Sequence, residues 1–372
     1  MIRLLRIFYS LFRMDAVGKS LMVSGLAVFC WLATATSADA QDKHFTQYFA
    51  VPTLTNPALT GAFQGRYRMG IVRRDQWRQS LDRPYETFAG GVDVRFETNY
   101  KRAVSDAVGI GLQFMNDKVD DSGFRTTQMA LSSAFHKALD EEGIHYLTIG
   151  TQLAVNQRSV NYENLTFEDQ YNGVGGYTLP TGENLPENNF AFFDLALGLN
   201  YTFSPTHRTT ILIGGAMHHL LEPNVSFLAA NPDVTIALPE EDNLFRKYSG
   251  LVAARFPVGD NLFLVPRALI AVQGPHIEIN AGSNLRIAMG DYTPFALHIG
   301  SWARPVRNAD NSFGLDAVVA LVGIEVNNLL FGFSYDLNIS DLGLSGPRRS
   351  SFEISVAYLG NFENEEILCP KF

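Results

Sequence analysis

Apolar side chains alternate with small or polar ones over many stretches of the chain, most clearly near its C-terminal end. Every second residue is bulky and apolar in 352–358, and the same alternation runs through 330–337 and 192–203. Successive side chains of a β-strand point to opposite faces, so each stretch predicts a strand with one apolar face. In water that face would need a covering layer of protein, whereas in a membrane barrel lipid is the covering layer.

The same pattern, followed along the whole chain, predicts about fourteen antiparallel strands. Each has roughly the ~10-residue length that a tilted strand needs to cross a membrane. The predicted strands are 65–76, 86–96, 106–117, 125–137, 144–156, 191–203, 208–219, 247–257, 261–272, 276–289, 294–303, 314–325, 329–338 and 351–361.

The connections between the predicted strands support this count. In a barrel whose N-terminus is periplasmic, short periplasmic turns alternate with long outer loops. The fifth and seventh connections, 157–190 and 220–246, are the longest, and both fall on the outer side. The second, fourth, sixth and eighth connections are short, at 97–105, 138–143, 204–207 and 258–260. The predicted fold is therefore all-β: a transmembrane outer-membrane β-barrel with long outer loops and short periplasmic turns.

The first forty residues have the three parts of a secretory signal peptide. A basic region is followed by an apolar stretch at 21–35 and by the small-residue site Ala38-Asp39-Ala40. This order predicts cleavage between Ala40 and Gln41, and export from the cytoplasm of a Gram-negative bacterium. The basic residues are Arg3, Arg6, Arg13 and Lys19.

Residues 41–63 precede the first predicted strand and differ from it in character. Pro52 and Pro57 remove hydrogen-bond donors and the apolar residues do not alternate, so a barrel strand is not expected. The segment is nevertheless too apolar to hang free in water. We expect a signal peptide at 1–40, then a periplasmic or lumen-entering segment at 41–63. The barrel at 64–361 and a periplasmic tail at 362–372 follow, so that both termini of the mature chain are periplasmic.

Charge and candidate chemistry argue against several classes of function. The formal net charge is −9, which disfavours nucleic acid as a partner. The chain has no H-E-x-x-H, C-x-x-C or G-x-S-x-G motif, so we predict neither an enzyme nor a cofactor or metal site. The adjacent His218 and His219 would point to opposite faces of a strand, which disfavours joint binding of one metal ion.

Nine charged side chains within the predicted strands fall on the inward face. Charge facing lipid costs several kcal/mol near the midplane of the membrane, so an inward position is nearly required. Two interpretations are open: a mutually paired network that fills and stiffens the barrel, or the lining of an anion-preferring pore. The predicted network contains Arg68, Arg74, Asp93, Arg95, Arg255, Arg267, Glu278, Arg286 and Glu353.

Two groups of short motifs resemble the PorP/SprF family of outer-membrane proteins, which is associated with type IX secretion and gliding motility in Bacteroidetes. The first group includes Phe45-Thr46-Gln47-Tyr48, Asn56-Pro57-Ala58 and Arg74-Asp75-Gln76-Trp77. The second includes the stretch 332–338, Phe352-Glu353-Ile354-Ser355 and the tail Cys369-Pro370-Lys371-Phe372. Asp75 departs mildly from the family pattern, which has Asn at that position.

The resemblance implies a barrel that is an anchor or secretion partner for surface proteins exported by the type IX machinery. It also implies contact with periplasmic or outer-membrane components of that machinery and, in some members, a link to gliding motility. It brings no catalytic residues. The alternative is a passive transporter, either porin-like or a channel for hydrophobic solutes. An anchor would have shaped outer loops and an occluded lumen, whereas a transporter would have an open or ligand-filled lumen.

Overall fold

The computed structural model describes residues 43–78, 84–98, 104–119, 123–183, 185–227, 243–289, 295–308, 311–339 and 350–360. The predicted signal peptide with its cleavage site at Ala40 and Gln41, and the predicted tail at 362–372, lie outside the described residues. Two pairs of 3₁₀ turns occur: Pro52–Leu54 and Pro57–Leu59, and Tyr162–Asn164 and Glu168–Gln170. Within the described residues no helix is long and apolar enough to cross a membrane.

Fourteen antiparallel strands of the described chain close into one barrel, with β1 hydrogen-bonded to β14. Every other pairing joins strands that are consecutive in the sequence. The strands are β1 (Tyr67–Gln76), β2 (Tyr85–Glu97), β3 (Ala107–Val119), β4 (Phe124–Ala138), β5 (His145–Ser159), β6 (Asn189–Thr206), β7 (Thr209–His218), β8 (Lys247–Pro257), β9 (Leu262–Gln273), β10 (His276–Met289), β11 (Phe295–Arg307), β12 (Phe313–Val326), β13 (Leu329–Asn338) and β14 (Ser350–Gly360).

The predicted strand count and the alternation of long and short connections are confirmed. The connections after β5 and β7, 160–188 and 219–246, are the longest, and both leave the same end of the barrel. We call this end the long-loop end. The opposite end, which carries connections such as 207–208 and 327–328, is called the short-turn end. Seven of the fourteen observed strands are longer than predicted, β1 and β7 are each two residues shorter, and the other five have the predicted length.

The two faces of the wall differ as the alternation predicts. On β4, Met129 and Leu131 point outward and are 62% and 52% exposed, while Ala130 and Ser132 point inward and are 5% and 2% exposed. Large apolar side chains thus cover the outward face, where only lipid would contact them. Small and polar side chains cover the inward face, because the chain packs against itself only there.

The apolar core lies between the wall and residues 43–63, which occupy the lumen and are called the lumen segment from here on. One cluster joins Tyr48 and Leu59 of this segment to Trp302, Val319 and Leu321 of the wall. Tyr48 meets Trp302 edge to face, with ring centroids 5.9 Å apart, and Phe49 stacks on the same indole at 6.2 Å. A second cluster joins Phe45, Ala50 and Val51 to Val72 of β1 and Ala89 of β2.

Candidate functional site in the barrel lumen

The lumen segment is held in tight turns by its prolines. Pro52 and Pro57 each open a 3₁₀ turn, a position where the fixed φ of proline fits and no backbone donor is lost. Asn56 caps the second turn, because its side-chain oxygen accepts a hydrogen bond from the Ala58 N–H at 2.8 Å. These two prolines are also the residues from which we predicted that this segment is not a strand.

Glycines of the inward face allow the lumen segment to lie directly on the backbone of the wall. A Cβ at any of these glycines would come much closer to the segment than van der Waals contact allows. The closest approaches would be Gly70 to the Ala50 carbonyl oxygen (2.0 Å), Gly198 to Asn56 Oδ1 (2.0 Å), Gly109 to the Thr60 carbonyl oxygen (2.2 Å), Gly332 to Gln47 Oε1 (2.3 Å) and Gly150 to the Ala58 nitrogen (2.4 Å).

Hydrogen bonds join the segment to strands all around the barrel. Asn56 Nδ2 donates to the Leu199 carbonyl oxygen at 3.0 Å and to that of Gly215 at 3.2 Å. Asn56 thus binds carbonyl oxygens of β6 and β7, while the carbonyl oxygens of Thr55 and Thr60 in the segment are bound by side chains of the wall. Further contacts are Ser249 Oγ to the Thr55 carbonyl (2.8 Å), His218 Nε2 to the same carbonyl (3.1 Å), His136 Nε2 to the Thr60 carbonyl (2.8 Å) and Thr60 Oγ1 to Ser132 Oγ (2.9 Å).

The start of the segment is fixed by a buried charge cluster near the long-loop end. The Glu353 carboxylate accepts hydrogen bonds from the backbone N–H groups of Thr46 (2.7 Å) and Gln47 (2.8 Å), and from Arg74 Nη1 (2.6 Å). Asp336 accepts from Arg74 at 3.1 Å and from Arg304 at 2.6 Å. Arg304 also donates to the Thr46 hydroxyl. Both carboxylates and both guanidiniums are at least 96% buried, so charge pairing replaces solvation here.

The end of the segment is fixed by a second cluster near the short-turn end. Arg68 binds Asp93 through two hydrogen bonds of 3.0 and 2.7 Å, and also donates to the Leu59 carbonyl oxygen at 2.9 Å. Asp93 accepts a hydrogen bond from the Gly61 N–H at 2.7 Å, and Arg95 donates to the Gly61 carbonyl oxygen at 2.9 Å. Both the N–H and the carbonyl oxygen of Gly61, in the last turn of the segment, are therefore hydrogen-bonded to the wall.

The remaining four predicted lumen charges lie on β8, β9 and β10 and do not form one cluster. Arg286 binds Glu325 of β12 through two hydrogen bonds of 2.8 Å each. Arg255 stacks over the Phe263 ring at 4.2 Å, and Arg267 over the Phe49 ring of the lumen segment at 4.4 Å. Glu278 lies 3.7 Å from Arg304. The nine predicted charges are thus distributed over several groups, and seven of them contact the lumen segment or its anchoring residues.

Three charged residues at the centre of these contacts were not among the predicted network: Arg304, Asp336 and Glu325. The side chain of each points inward, like that of every second residue of its strand. This place in the alternation, which we call parity, is the sequence signal for an inward residue. Asp336, for example, follows Gly332 and Ser334 on the inward face of β13. Extending this rule to every charge within a predicted strand would have included Asp336 and Glu325, whereas Arg304 lies one residue beyond the predicted strand 294–303.

His44 contacts Glu278, with Nδ1 and the carboxylate 3.2 Å apart.

The expectation that His218 and His219 point to opposite faces is wrong. β7 ends at His218, and His219 adopts a left-handed conformation with φ of 58°, which turns its ring inward. His219 Nδ1 lies 2.7 Å from Asp194, while His218 faces Thr55. Among the residues that the structure describes, no group of three or more His, Cys, Asp or Glu side chains is arranged to hold a metal ion.

Between the lumen segment and the wall lies a small cavity. This cavity of about 70 Å³ lies near the long-loop end, lined by residues that include His44, Tyr48, Lys247 and Glu278. This is well below the ~300 Å³ at which pockets for small organic ligands begin. Its size suits a few water molecules rather than a solute in transit.

Comparisons with known proteins give one family match and several similar folds. The family described as type IX secretion system membrane protein PorP/SprF matches residues 37–358. Among curated proteins none matches the chain. A FadL homologue of Pseudomonas aeruginosa shares 12% identity at a TM-score of 0.45, covering 82% of this chain and 92% of the other. BamA of Haemophilus ducreyi, in a form lacking POTRA domains 1–3, shares 10% identity at a TM-score of 0.39, with coverages of 79% and 71%.

Proposed function

Because this outer-membrane β-barrel belongs to the PorP/SprF family of type IX secretion system membrane proteins, we propose that it is an anchor or secretion partner for surface proteins exported by that system. Its partners are the exported proteins on the outer side and components of the secretion machinery on the periplasmic or membrane side. A contribution to gliding motility would follow from the same anchoring role. We propose no catalytic reaction.

The observation that carries this proposal is the anchored lumen segment. A passive transporter, the alternative function, requires a path for solute between the two ends of the barrel. The lumen segment crosses that path and is bound near one end by Glu353 and near the other by Asp93. Opening the path would break buried charge contacts and hydrogen bonds near both ends of the barrel. An occluded barrel that binds proteins is therefore favoured.

We also propose that the long-loop end faces the cell exterior. In this orientation the lumen segment runs from the outer half of the lumen to its periplasmic end. Lys43 lies 3.9 Å from Asp117, close to the long-loop end of β3, whereas Gly61 contacts Asp93 close to the short-turn end of β2. We therefore propose that residues 43–63 lie inside the lumen instead of in the periplasm, and retain the periplasmic position for the tail at 362–372.

Affinity purification from the native outer membrane tests the proposed function. With an affinity tag after Phe372, we expect exported type IX proteins or components of the machinery to co-purify in stoichiometric amounts. The control is an unrelated outer-membrane barrel with the same tag, prepared in parallel. Recovery of the same proteins with the control barrel, or recovery of the tagged protein alone, would contradict the proposed function.

A further inference from the structure

The tip of the long connection 160–188 is a fixed turn. Tyr171 and Tyr177 form an isolated antiparallel bridge, and their rings lie 5.4 Å apart. The Asn172 N–H donates to the Gly176 carbonyl oxygen at 2.8 Å. Asn172 Oδ1 in turn accepts hydrogen bonds from the N–H groups of Val174 (3.0 Å) and Gly176 (3.1 Å). Contacts within the turn itself therefore fix both of its arms.

The part of the connection that supports this tip is ordered in the same way. The Asp169 carboxylate accepts hydrogen bonds from the Gly182 N–H at 2.5 Å and from the Thr181 hydroxyl at 3.1 Å. The Leu179 N–H donates to the Gln170 carbonyl oxygen at 3.1 Å. These bonds join the two sides of the loop below the tip.

The strand ends around the base of this connection, on β4, β5 and β6, are packed against the other long connection. Phe227, which belongs to 219–246, meets Phe190 at 5.0 Å and Phe124 at 6.2 Å between ring centroids. Arg158 donates to the Val225 carbonyl oxygen at 3.3 Å. The tip is therefore presented from a rigid base at the long-loop end.

This ordered tip keeps large apolar side chains in solvent. Val174 is 92% exposed, Tyr177 55%, Leu179 48% and Tyr171 46%. These residues lie beyond the strands, so the lipid contact that explains the outward-facing side chains of the barrel does not explain their exposure. Apolar and tyrosine side chains held in a pre-formed geometry are typical of protein-binding surfaces, because little conformational entropy is lost when they are covered.

Charge defines what this tip can bind. The stretch 159–188 contains five acidic residues and no Lys, Arg or His. All five carboxylate side chains are exposed: Glu163, Glu168, Asp169, Glu183 and Glu187. An apolar centre with a wholly acidic surround is complementary to an apolar patch within a basic surface.

We infer that the tip of 160–188, centred on Tyr171, Val174 and Tyr177, is the docking site for a folded protein partner with a basic surface. Phosphate-bearing glycolipids are disfavoured as the occupant, because five carboxylates repel an anionic headgroup layer. A second copy of this chain is disfavoured because its net charge is −9 and its own tip is acidic. The inference rests on the proposed function, since it names the surface by which an exported partner would be held.

Photocrosslinking in intact cells tests the site directly. Benzoylphenylalanine replacing Val174 in the full chain should give a covalent adduct with one protein, identified by mass spectrometry, in which the crosslinked peptide lies in a basic surface. The matched control carries the same probe in place of Leu139, which is 54% exposed in the turn at the opposite end of the barrel. We expect the control to give no adduct with that protein.

A charge-reversal variant tests complementarity. Glu163→Lys, Glu183→Lys and Glu187→Lys change side chains that make no hydrogen bond within the described part of the loop. In the Val174 probe strain this triple variant should lower the adduct yield about tenfold or more, because opposite charge across an interface sets both association rate and specificity. The corresponding Glu→Gln triple variant should give an intermediate yield. Unchanged heat-modifiable mobility of the barrel in gels shows that each variant is assembled.

The outcomes separate the docking site from the proposed function. Adducts with glycolipid, adducts with a second copy of this chain, an unchanged yield in the charge-reversed variant, or no adduct at position 174 would each overturn the docking site. A charge-dependent adduct with an exported type IX protein or a component of the machinery supports both proposals. A charge-dependent adduct with a basic protein unrelated to secretion supports the docking site and contradicts the proposed function.

Discussion

At the residue scale, the lumen is organised by a few buried charges whose partners are far apart in the sequence. Glu353 is fully buried and bonds simultaneously to the backbone of the lumen segment and to Arg74. If that carboxylate were neutral, Arg74 would keep as its carboxylate partner Asp336, which it shares with Arg304. Loss of one member of a buried ion-pair group is expensive, because the charges left behind have lost their compensation and cannot reach water.

We predict that Glu353→Gln lowers the free energy of unfolding of the barrel by about 3 kcal/mol, measured by urea titration in lipid vesicles. The control is Glu86→Gln. Glu86 pairs with Arg73 at 2.9 Å, but the two side chains are 38% and 53% exposed, so its loss should cost less than about 1 kcal/mol. Equal effects of the two substitutions would show that the buried cluster does not anchor the segment.

A second residue-scale prediction concerns the glycine contacts. Gly198→Ala should destabilise the barrel by about 1–3 kcal/mol, because the added methyl group would lie 2.0 Å from Asn56 Oδ1 and must displace the lumen segment. Gly215→Ala is the matched control, since the nearest atom to its Cβ is the Ser249 carbonyl oxygen at 3.4 Å. Thermal unfolding monitored by loss of heat-modifiable mobility compares the two variants. If both behave as wild type, the segment does not lie on the wall at this point.

At the element scale, each strand has one face for lipid and one for the lumen segment, and the connections differ between the two ends. The lipid face of β6 is represented by Leu197, which is 44% exposed, and the opposite face by Gly198. The pleat assigns these faces by position alone. A substitution therefore acts on lipid contact or on lumen packing according to its parity in the strand.

Leu197→Arg should reduce the fraction of assembled, heat-modifiable barrel in the outer membrane, because an arginine facing lipid costs roughly 2–4 kcal/mol near the midplane. Leu197→Met, which keeps the position apolar, is the control and should assemble normally. Normal assembly of the arginine variant would mean that this face of β6 does not contact lipid.

Protease accessibility tests the proposed orientation of the elements. In intact cells, added protease should cut within 160–188 or 219–246. The turns at 207–208 and 258–261 should be cut only after the outer membrane is opened, because they lie at the short-turn end. Cleavage of those turns in intact cells would reverse the proposed orientation.

At the scale of the whole molecule, the barrel and the lumen segment form a single packed unit. Both apolar clusters, and the two charge clusters built on Glu353 and on Asp93, include residues of both parts. A barrel that builds its interior from its own N-terminal segment is suited to holding a partner at its ends and is poorly suited to conducting solutes.

The conductance of the purified protein tests this conclusion. The full chain in planar bilayers should show no steady open-pore current, because residues 43–63 occlude the lumen. Deletion of Phe45 to Leu59 should produce a measurable conductance in whatever fraction of the variant assembles. Stable open-pore current from the full chain would contradict occlusion and favour the passive transporter.

The sequence by itself determined the barrel. Alternation is a local property, and fourteen alternating stretches were enough to define the number and order of the strands and the face of most residues, although not that of His219, where the strand had ended. The prolines at 52 and 57 likewise excluded residues 43–63 from the wall. Parity also placed charges such as Arg74 and Glu353 inward, because lipid accepts no unpaired charge near its midplane.

Only the tertiary structure decided which inward residues meet. Arg74 and Glu353 are 279 positions apart, and Thr46 and Asp336 are 290 apart. Parity assigns each to the lumen but carries no information on its partner there, since that depends on how the barrel closes and on the path of the lumen segment. The same holds for Gly198, whose lack of a side chain has a reason only when Asn56 lies against it.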